Sequence, residues 1–265
     1  MAGNVLDGAF DEFRAAAGEI AANATFLDRA ASLRPRVGRY LAWDGLVGED
    51  KALVQQFMNS GCSISVCYEG LFVRLVASFE GFVRRAVKDA VLSLNESKIC
   101  FAKLEEGIRN RNRHCVGRAL ATVYEPMDFL QLDFDRLCLE VGTCVPNATS
   151  VTLSADAFAM AVGSASVDRI EAAFRLLGKN LQWGDFAGNE ALKKVLETRK
   201  PRETAKAAQN LVADIQARRN GYAHTGIGGV FVTVGDIEAT ASFLILLADA
   251  LKEQLGTHLV ALCGR

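Results

Sequence analysis

The chain has 265 residues, 50% of them hydrophobic, with 30 basic and 31 acidic side chains and a formal net charge of −1. That length and apolar share suit one large domain, or two small ones, with a sizeable core. The near-neutral balance excludes a global basic field, so any nucleic acid would have to bind at a local patch.

With only 4 prolines and many Ala, Leu, Glu, Lys and Arg residues, the sequence predicts an all-α fold. Val5 to Leu33 reads as an amphipathic helix, because Leu6, Phe10, Phe13, Ala17, Ile20, Ala24 and Leu27 recur at three and four. Pro35 is expected to close it. Arg34, Arg36 and Arg39 follow with Tyr40 and Trp43 in a short loop, whose aromatics either stack on bases or dock on the core. Gly48-Glu49-Asp50 starts the next helix, which runs to about Asn59, with acids where the helix dipole favours them.

Ile64 to Leu94 is the longest helical pattern and is apolar on most faces up to Phe82, as befits a central helix. Glu80 stands inside this run. A buried unpaired carboxylate is costly, so Glu80 either lies on a solvated edge or pairs with a motif residue further on.

Residues 95 to 200 predict several shorter helices. Ser97 to Val123 carries Arg109, Arg111, Arg113, His114 and Arg118, with Arg109 and Arg113 neighbours at i,i+4. This is either a solvated face or a phosphate-binding strip. Phe129 to Val141 fits helix or strand, with helix preferred. Val145 to Ser154 reads as a loop, and Ser154 as the start of a helix to about Val162. Ser166 opens a helix ended by Gly178, and Trp183 and Phe186 suit an anchored loop. Glu190 to Glu197 is a short helix, separated by Pro201 from Glu203 to Ala217. Val230 to Val234 is β-rich but brief, and Ile237 to Leu255 is the last helix.

The stretch from Leu211 to Gly226 holds the candidate chemistry. Leu211, Val212 and Ile215 form an apolar stripe, after which come Arg218, Arg219, Asn220, Gly221, Tyr222, Ala223 and His224, one of 3 histidines. Gly221 weakens a helix by about 1 kcal/mol against Ala, so the helix is expected to fray there. On a regular helix Arg219 and His224 stand about 140° apart. Either the helix distorts, or the two residues meet groups from elsewhere, such as a second copy of the site. Arg offers a planar fork suited to phosphate, and His moves protons near neutral pH. Helix C-capping by basic residues is the bland alternative. Arg109 to His114 has the same Arg-x4-His spacing.

Arg219-Asn220-Gly221-Tyr222-Ala223-His224 resembles the signature of the HEPN family: Arg, often Asn, then Ala-His. The upstream segment from Leu71 to Arg85, with its Ser-Phe-Glu-Gly-Phe centre, is similar to prokaryotic HEPN proteins of the RiboL-PSP type. The resemblance covers roughly Val66 to Leu94 and Glu203 to Leu255. It implies one HEPN-like helical bundle over residues 1–265, with core helices near 48–95 and 203–256 and residues 96–202 as an elaborating helical insertion. It also implies a metal-independent endoribonuclease that works by 2′-hydroxyl attack, without a cofactor, as a toxin or antiviral-defence effector. Partners would be RNA, a second copy in a homodimer, and an antitoxin or regulatory protein. Arg219, His224, Asn220 and Glu80 would be catalytic, and Arg218, Tyr222, Arg109 and Arg113 would contact RNA. Some HEPN toxins carry a regulatory Tyr two residues after the His; here that position is Gly226, so that control is not expected. The alternative is a non-catalytic helical module that binds RNA or nucleotide.

The 7 cysteines form no Cys-x2-Cys pair, which argues against zinc and for scattered buried thiols in a reducing cytosol. Asp7, Asp11 and Glu12 speak against a signal peptide, and Phe243 to Leu247 is too short to span a bilayer. A cytoplasmic protein without membrane contact is the expectation.

Overall fold

A computed structural model of the chain describes residues 5–40, 52, 55, 64–97, 104–123, 132–145, 151–186, 188–225 and 231–263. The helices are α1 (Asp7–Tyr40), α2 (Ile64–Glu96), α3 (Glu106–Thr122), α4 (Phe134–Gly142), α5 (Ala155–Ala161), α6 (Val167–Leu176), α7 (Glu190–Val195), α8 (Pro201–Thr225) and α9 (Val234–Cys263), with a 3-10 turn at Trp183–Phe186 between α6 and α7. The described residues contain no strand, so the fold is all-α. The expected helix near 48–59 and the loop aromatic Trp43 lie outside the described residues, apart from isolated positions.

α2 is central for the reason its sequence suggests. Phe72, Leu75, Val76, Phe79, Phe82 and Val83 are all buried on one face about 120° wide, which Glu80, Val87 and Val91 widen to roughly half the helix circumference. The helix accordingly packs on α1, α5, α6, α8 and α9. Against α1, the rings of Phe13 and Phe79 lie 5.6 Å apart and those of Phe13 and Phe82 5.7 Å. Each fully buried Phe contributes about 1.5–3 kcal/mol. The apolar core is continuous from Leu6 to Leu262 and includes Ile108, Phe158 and Ile170 of the middle region.

Pro35 does not close α1, which continues to Tyr40. An interior proline costs about 3 kcal/mol, and the long helix carries it. The stretch from Arg34 to Tyr40, expected as loop, is helical backbone.

The choice between helix and strand after Phe129 resolves to helix from Phe134, where the Asp133 side chain caps by accepting from the Arg136 N–H at 2.7 Å. Ser154 does precede α5, but its hydroxyl makes no cap bond. Its N–H instead donates to Asn112 Oδ1 at 2.9 Å. Gly178, at φ +80°, ends α6. There the Lys179 N–H reaches the Phe174 carbonyl and the Gly178 N–H reaches that of Arg175. This closure uses the left-handed conformation that glycine adopts without a Cβ penalty. Trp183 and Phe186 are buried and stack edge-on at 5.6 Å.

α8 does not fray at Gly221 but stays helical to Thr225. The cause is Tyr222, which is only 8% exposed and packs edge-on against Phe72 of α2 at 6.0 Å. Burying that ring outweighs the ~1 kcal/mol that Gly221 costs. Val230 lies outside the described residues; Phe231 to Thr233 form no strand, and Thr233 instead caps α9.

Cys115 and Cys144 are buried, whereas Cys138 is exposed. Burial pushes the Cys115 thiol up to about 11, so it stays protonated at neutral pH. No helix among the described residues is long and apolar enough to cross a membrane.

Candidate functional site

α2 and α8 meet where Glu80 faces Gln216 and Arg219, in the third and second turns from the end of α8. Glu80 is 8% exposed. Its Oε2 accepts from Arg219 Nη2 at 3.3 Å. Its Oε1 accepts from Gln216 Nε2 and from the Ala165 N–H, both at 3.4 Å. The carboxylate is therefore neither unpaired nor on a solvated edge. Three donors from α8 and from the turn before α6 converge on it, which is what a buried charge requires.

Arg219 is fixed from two sides. Nη2 goes to Glu80, Nη1 donates to Asn220 Oδ1 at 3.1 Å, and the side chain is 24% exposed. Its Nε is buried without a partner. The guanidinium plane is thus held at the protein's edge by a carboxylate behind it and an amide beside it. Such an arrangement presents an oriented cation to an anion arriving from solvent.

Arg218 takes a different course. Its guanidinium carbon lies 5.1 Å from the centre of the Phe72 ring, and Nη1 is 3.5 Å from Asp236 Oδ1 of α9. Arg218 and Tyr222, one helical turn apart, thus clasp Phe72 between them. Asp236 belongs to a capping box. Its Oδ2 accepts from the Thr233 N–H at 2.9 Å and from Thr233 Oγ1 at 2.6 Å, while the Asp236 N–H donates to Thr233 Oγ1 at 3.2 Å. Burial pushes the Asp236 carboxyl up, but these hydrogen bonds and nearby Arg218 outweigh it and hold the group below its ordinary range.

Of the expected site residues, Glu80, Arg219 and Asn220 come together. His224 lies on the last turn of the same helix, about 140° around it from Arg219. Arg218 and Tyr222 grip Phe72, so little of the Tyr222 ring is open to a base. Arg109 and Arg113 sit on α3. Arg113 Nη2 donates to the Cys144 carbonyl at 2.9 Å, tying α3 to the end of α4.

Gln216 and Asp236 were missed by sequence reasoning. Gln216 stands three residues before Arg219, on the same helix face, and Thr233-Val-Gly-Asp236 ahead of an apolar run is a legible cap signal. Among the described residues, no group of three or more His, Cys, Asp or Glu side chains is placed to hold a metal ion.

The chain is an all-α protein whose most distinctive polar feature joins α2 and α8. No protein-family model matches it, and neither a curated protein nor a solved structure shows significant similarity to it.

Proposed function

We propose that the chain is an endoribonuclease of HEPN type that cleaves RNA through the ribose 2′-hydroxyl, acting as a toxin or antiviral-defence effector. The observation that carries this reading is the contact of Glu80 with Arg219, at 3.3 Å, on the helix whose last turn carries His224. A buried carboxylate spent on orienting one partly exposed arginine suits a phosphate-binding role. The resemblance of Arg219 to His224 and of Leu71 to Arg85 to the HEPN pattern supports the same reading.

In this mechanism the 2′-oxygen attacks phosphorus, its proton passes to a His224 imidazole, and the bond to the 5′-oxygen breaks as that oxygen takes a proton. The products are a 2′,3′-cyclic phosphate and a 5′-hydroxyl. Arg219 offsets charge on the crowded phosphorus, and proton transfer by His224 is worth about 10²–10⁴-fold. Asn220 helps hold the guanidinium, and Glu80 fixes it from behind. Because Arg219 and His224 diverge on a continuous helix, a homodimer with its two-fold axis near the motif completes the site, one His224 acting as base and the other as acid. An antitoxin or other regulatory protein would restrain the enzyme in a cell.

A second reading, a non-catalytic module that binds RNA or nucleotide, is favoured by one observation: both terminal nitrogens of Arg219 already have protein partners. Expression of wild type beside His224→Ala decides between the two. Growth arrest with RNA fragmentation in wild type alone is the expected result. Equal growth and intact RNA in both would favour the module.

A further inference from the structure

Two of the cations expected to hold RNA are engaged within the protein: Arg113 serves the Cys144 carbonyl and Arg218 lies over Phe72. A different basic surface stands open at the other end of α8. From Lys193 to Lys206 the chain carries six basic side chains and two acids, although its net charge as a whole is −1. Lys193 pairs with Glu190, and Lys200 with Glu203. Lys194, Arg199, Arg202 and Lys206 are exposed and form no ion pair with any described residue.

The turn that gathers these cations is fixed. Glu197, at φ +52°, ends α7 in the left-handed conformation. There the Thr198 N–H reaches the Lys193 carbonyl at 3.0 Å and the Glu197 N–H that of Lys194 at 3.3 Å. The hydroxyls of Thr198 and Thr204 meet at 2.7 Å across the start of α8. The reversal sets Lys194 and Arg199 on the wall of one open cavity of about 560 Å³, which Glu190, Lys193, Glu197 and Thr198 share. Arg202 and Lys206 continue the surface onto α8. At about 100° per residue, Arg202, Lys206, Ala213, Ala217 and Asn220 fall within about 60° of one another, and all five are exposed. The acids of this helix, Glu203 and Asp214, border that stripe at about 100° and 120° from Arg202. By register His224 falls on the same line. From Arg202 to Asn220 the stripe is about 27 Å long.

We infer that Lys194, Arg199, Arg202 and Lys206 form a docking site for the phosphates of an RNA strand that runs along this face of α8 toward Arg219. The inference deepens the ribonuclease reading and rests on it for one consequence, a preference for substrates that extend several nucleotides from the scissile bond. Binding itself needs only charge complementarity: each unpaired cation that meets a phosphate releases condensed counterions. A lipid surface fits less well, because no large apolar side chain is exposed between Pro201 and Ala223 to enter it.

Fluorescence anisotropy of a labelled RNA of about 20 nucleotides, with the full chain carrying His224→Ala so that no RNA is consumed, tests the site. Adding Arg199→Gln, Arg202→Gln and Lys206→Gln together should flatten the salt dependence, lowering the slope of log K against log salt by about 2, at about 0.7 per phosphate. Affinity at low salt should fall by more than about tenfold. Arg14→Gln, Arg29→Gln and Arg74→Gln together remove the same charge from exposed positions of α1 and α2 and should change neither quantity. Circular dichroism should show both triple variants folded. With His224 restored, the α8 triple variant should cleave the long RNA with a raised KM and an unchanged kcat, and a dinucleotide at the wild-type kcat/KM. Equal losses of binding in the two triple variants would overturn the docking site. So would phosphatidylserine vesicles that compete as well as RNA at equal phosphate concentration. If no chain cleaves RNA while the two triple variants still differ in binding, the ribonuclease reading and the length preference fall and the docking site is supported.

Discussion

Two segments of this chain share the Arg-x4-His spacing, Arg109 to His114 on α3 and Arg219 to His224 on α8. Their surroundings differ in what faces the arginines. On α3, the buried member is Asn112, fully enclosed, whose amide joins the Cys144 sulfur at 3.1 Å and the Ser154 N–H at 2.9 Å. Arg113 supports the same corner through a main-chain carbonyl, and His114 is exposed. On α8, the buried group opposite the helix is a carboxylate from another helix, and it orients a partly exposed guanidinium. The first arrangement directs its polar groups inward to hold a loop. The second directs a cation outward. Spacing alone does not separate them; the charge and burial of the facing group do.

The comparison can be broken at its structural end first. Asn112→Ala should cost about 2–4 kcal/mol, because it leaves the buried Ser154 N–H without a partner and opens a void. His114→Ala, on the exposed side of α3, should cost far less, as surface changes do. Urea unfolding followed by circular dichroism reads both. If Asn112→Ala is neutral, the α3 segment is not the structural corner described.

Glu80→Gln comes next, at about 1–3 kcal/mol. The amide keeps the shape but loses the charge facing Arg219 and turns one acceptor into a donor against Gln216. Double-mutant cycles of Glu80→Gln with Arg219→Ala should show coupling, whereas cycles with Arg109→Ala should show none. Additivity in the first cycle would remove the contact from the account.

Asp236→Asn should cost about 0.5–2 kcal/mol through the α9 cap. The sign of its pH dependence follows from the lowered carboxyl. The ionised form is favoured in the folded state, so its contribution is present above the ordinary 3.8 and is lost as pH falls through the folded value. Wild type should therefore lose stability below about pH 4 more steeply than Asp236→Asn. Parallel curves would contradict this. Arg113→Ala is the smallest change, at about 0.5–1.5 kcal/mol, for one hydrogen bond to the Cys144 carbonyl.

Much of this was legible from the sequence where the signal is local. The stripe of Phe10, Phe13, Ala17, Ile20 and Ala24 marks α1, and the long apolar run around Phe79 marks a central helix. Glu80 stands out because a carboxylate in such a run needs a partner, and the partner is Arg219. What was not legible depends on distant burial. Gly221 reads as a break because Tyr222 does not announce that it packs on Phe72. Pro35 reads as a stop, yet the α1 backbone stays helical through it to Tyr40. Asn112 and Asn95 have no local signature either, since both bind the backbone of residues 153–154, whose course past them is set by tertiary packing.

The ribonuclease reading makes the contrast between the two segments a contrast in chemistry, and one assay addresses it. Purified wild type, Arg219→Ala, His224→Ala and the Arg109→Ala/His114→Ala double variant are incubated with RNA in excess EDTA, and the fragment ends are examined. The account predicts 2′,3′-cyclic phosphate ends from wild type and the double variant, and loss of cleavage by about 10²-fold or more in each α8 variant. Cleavage that survives in Arg219→Ala and His224→Ala but vanishes in the double variant, or that EDTA abolishes in wild type, would contradict it.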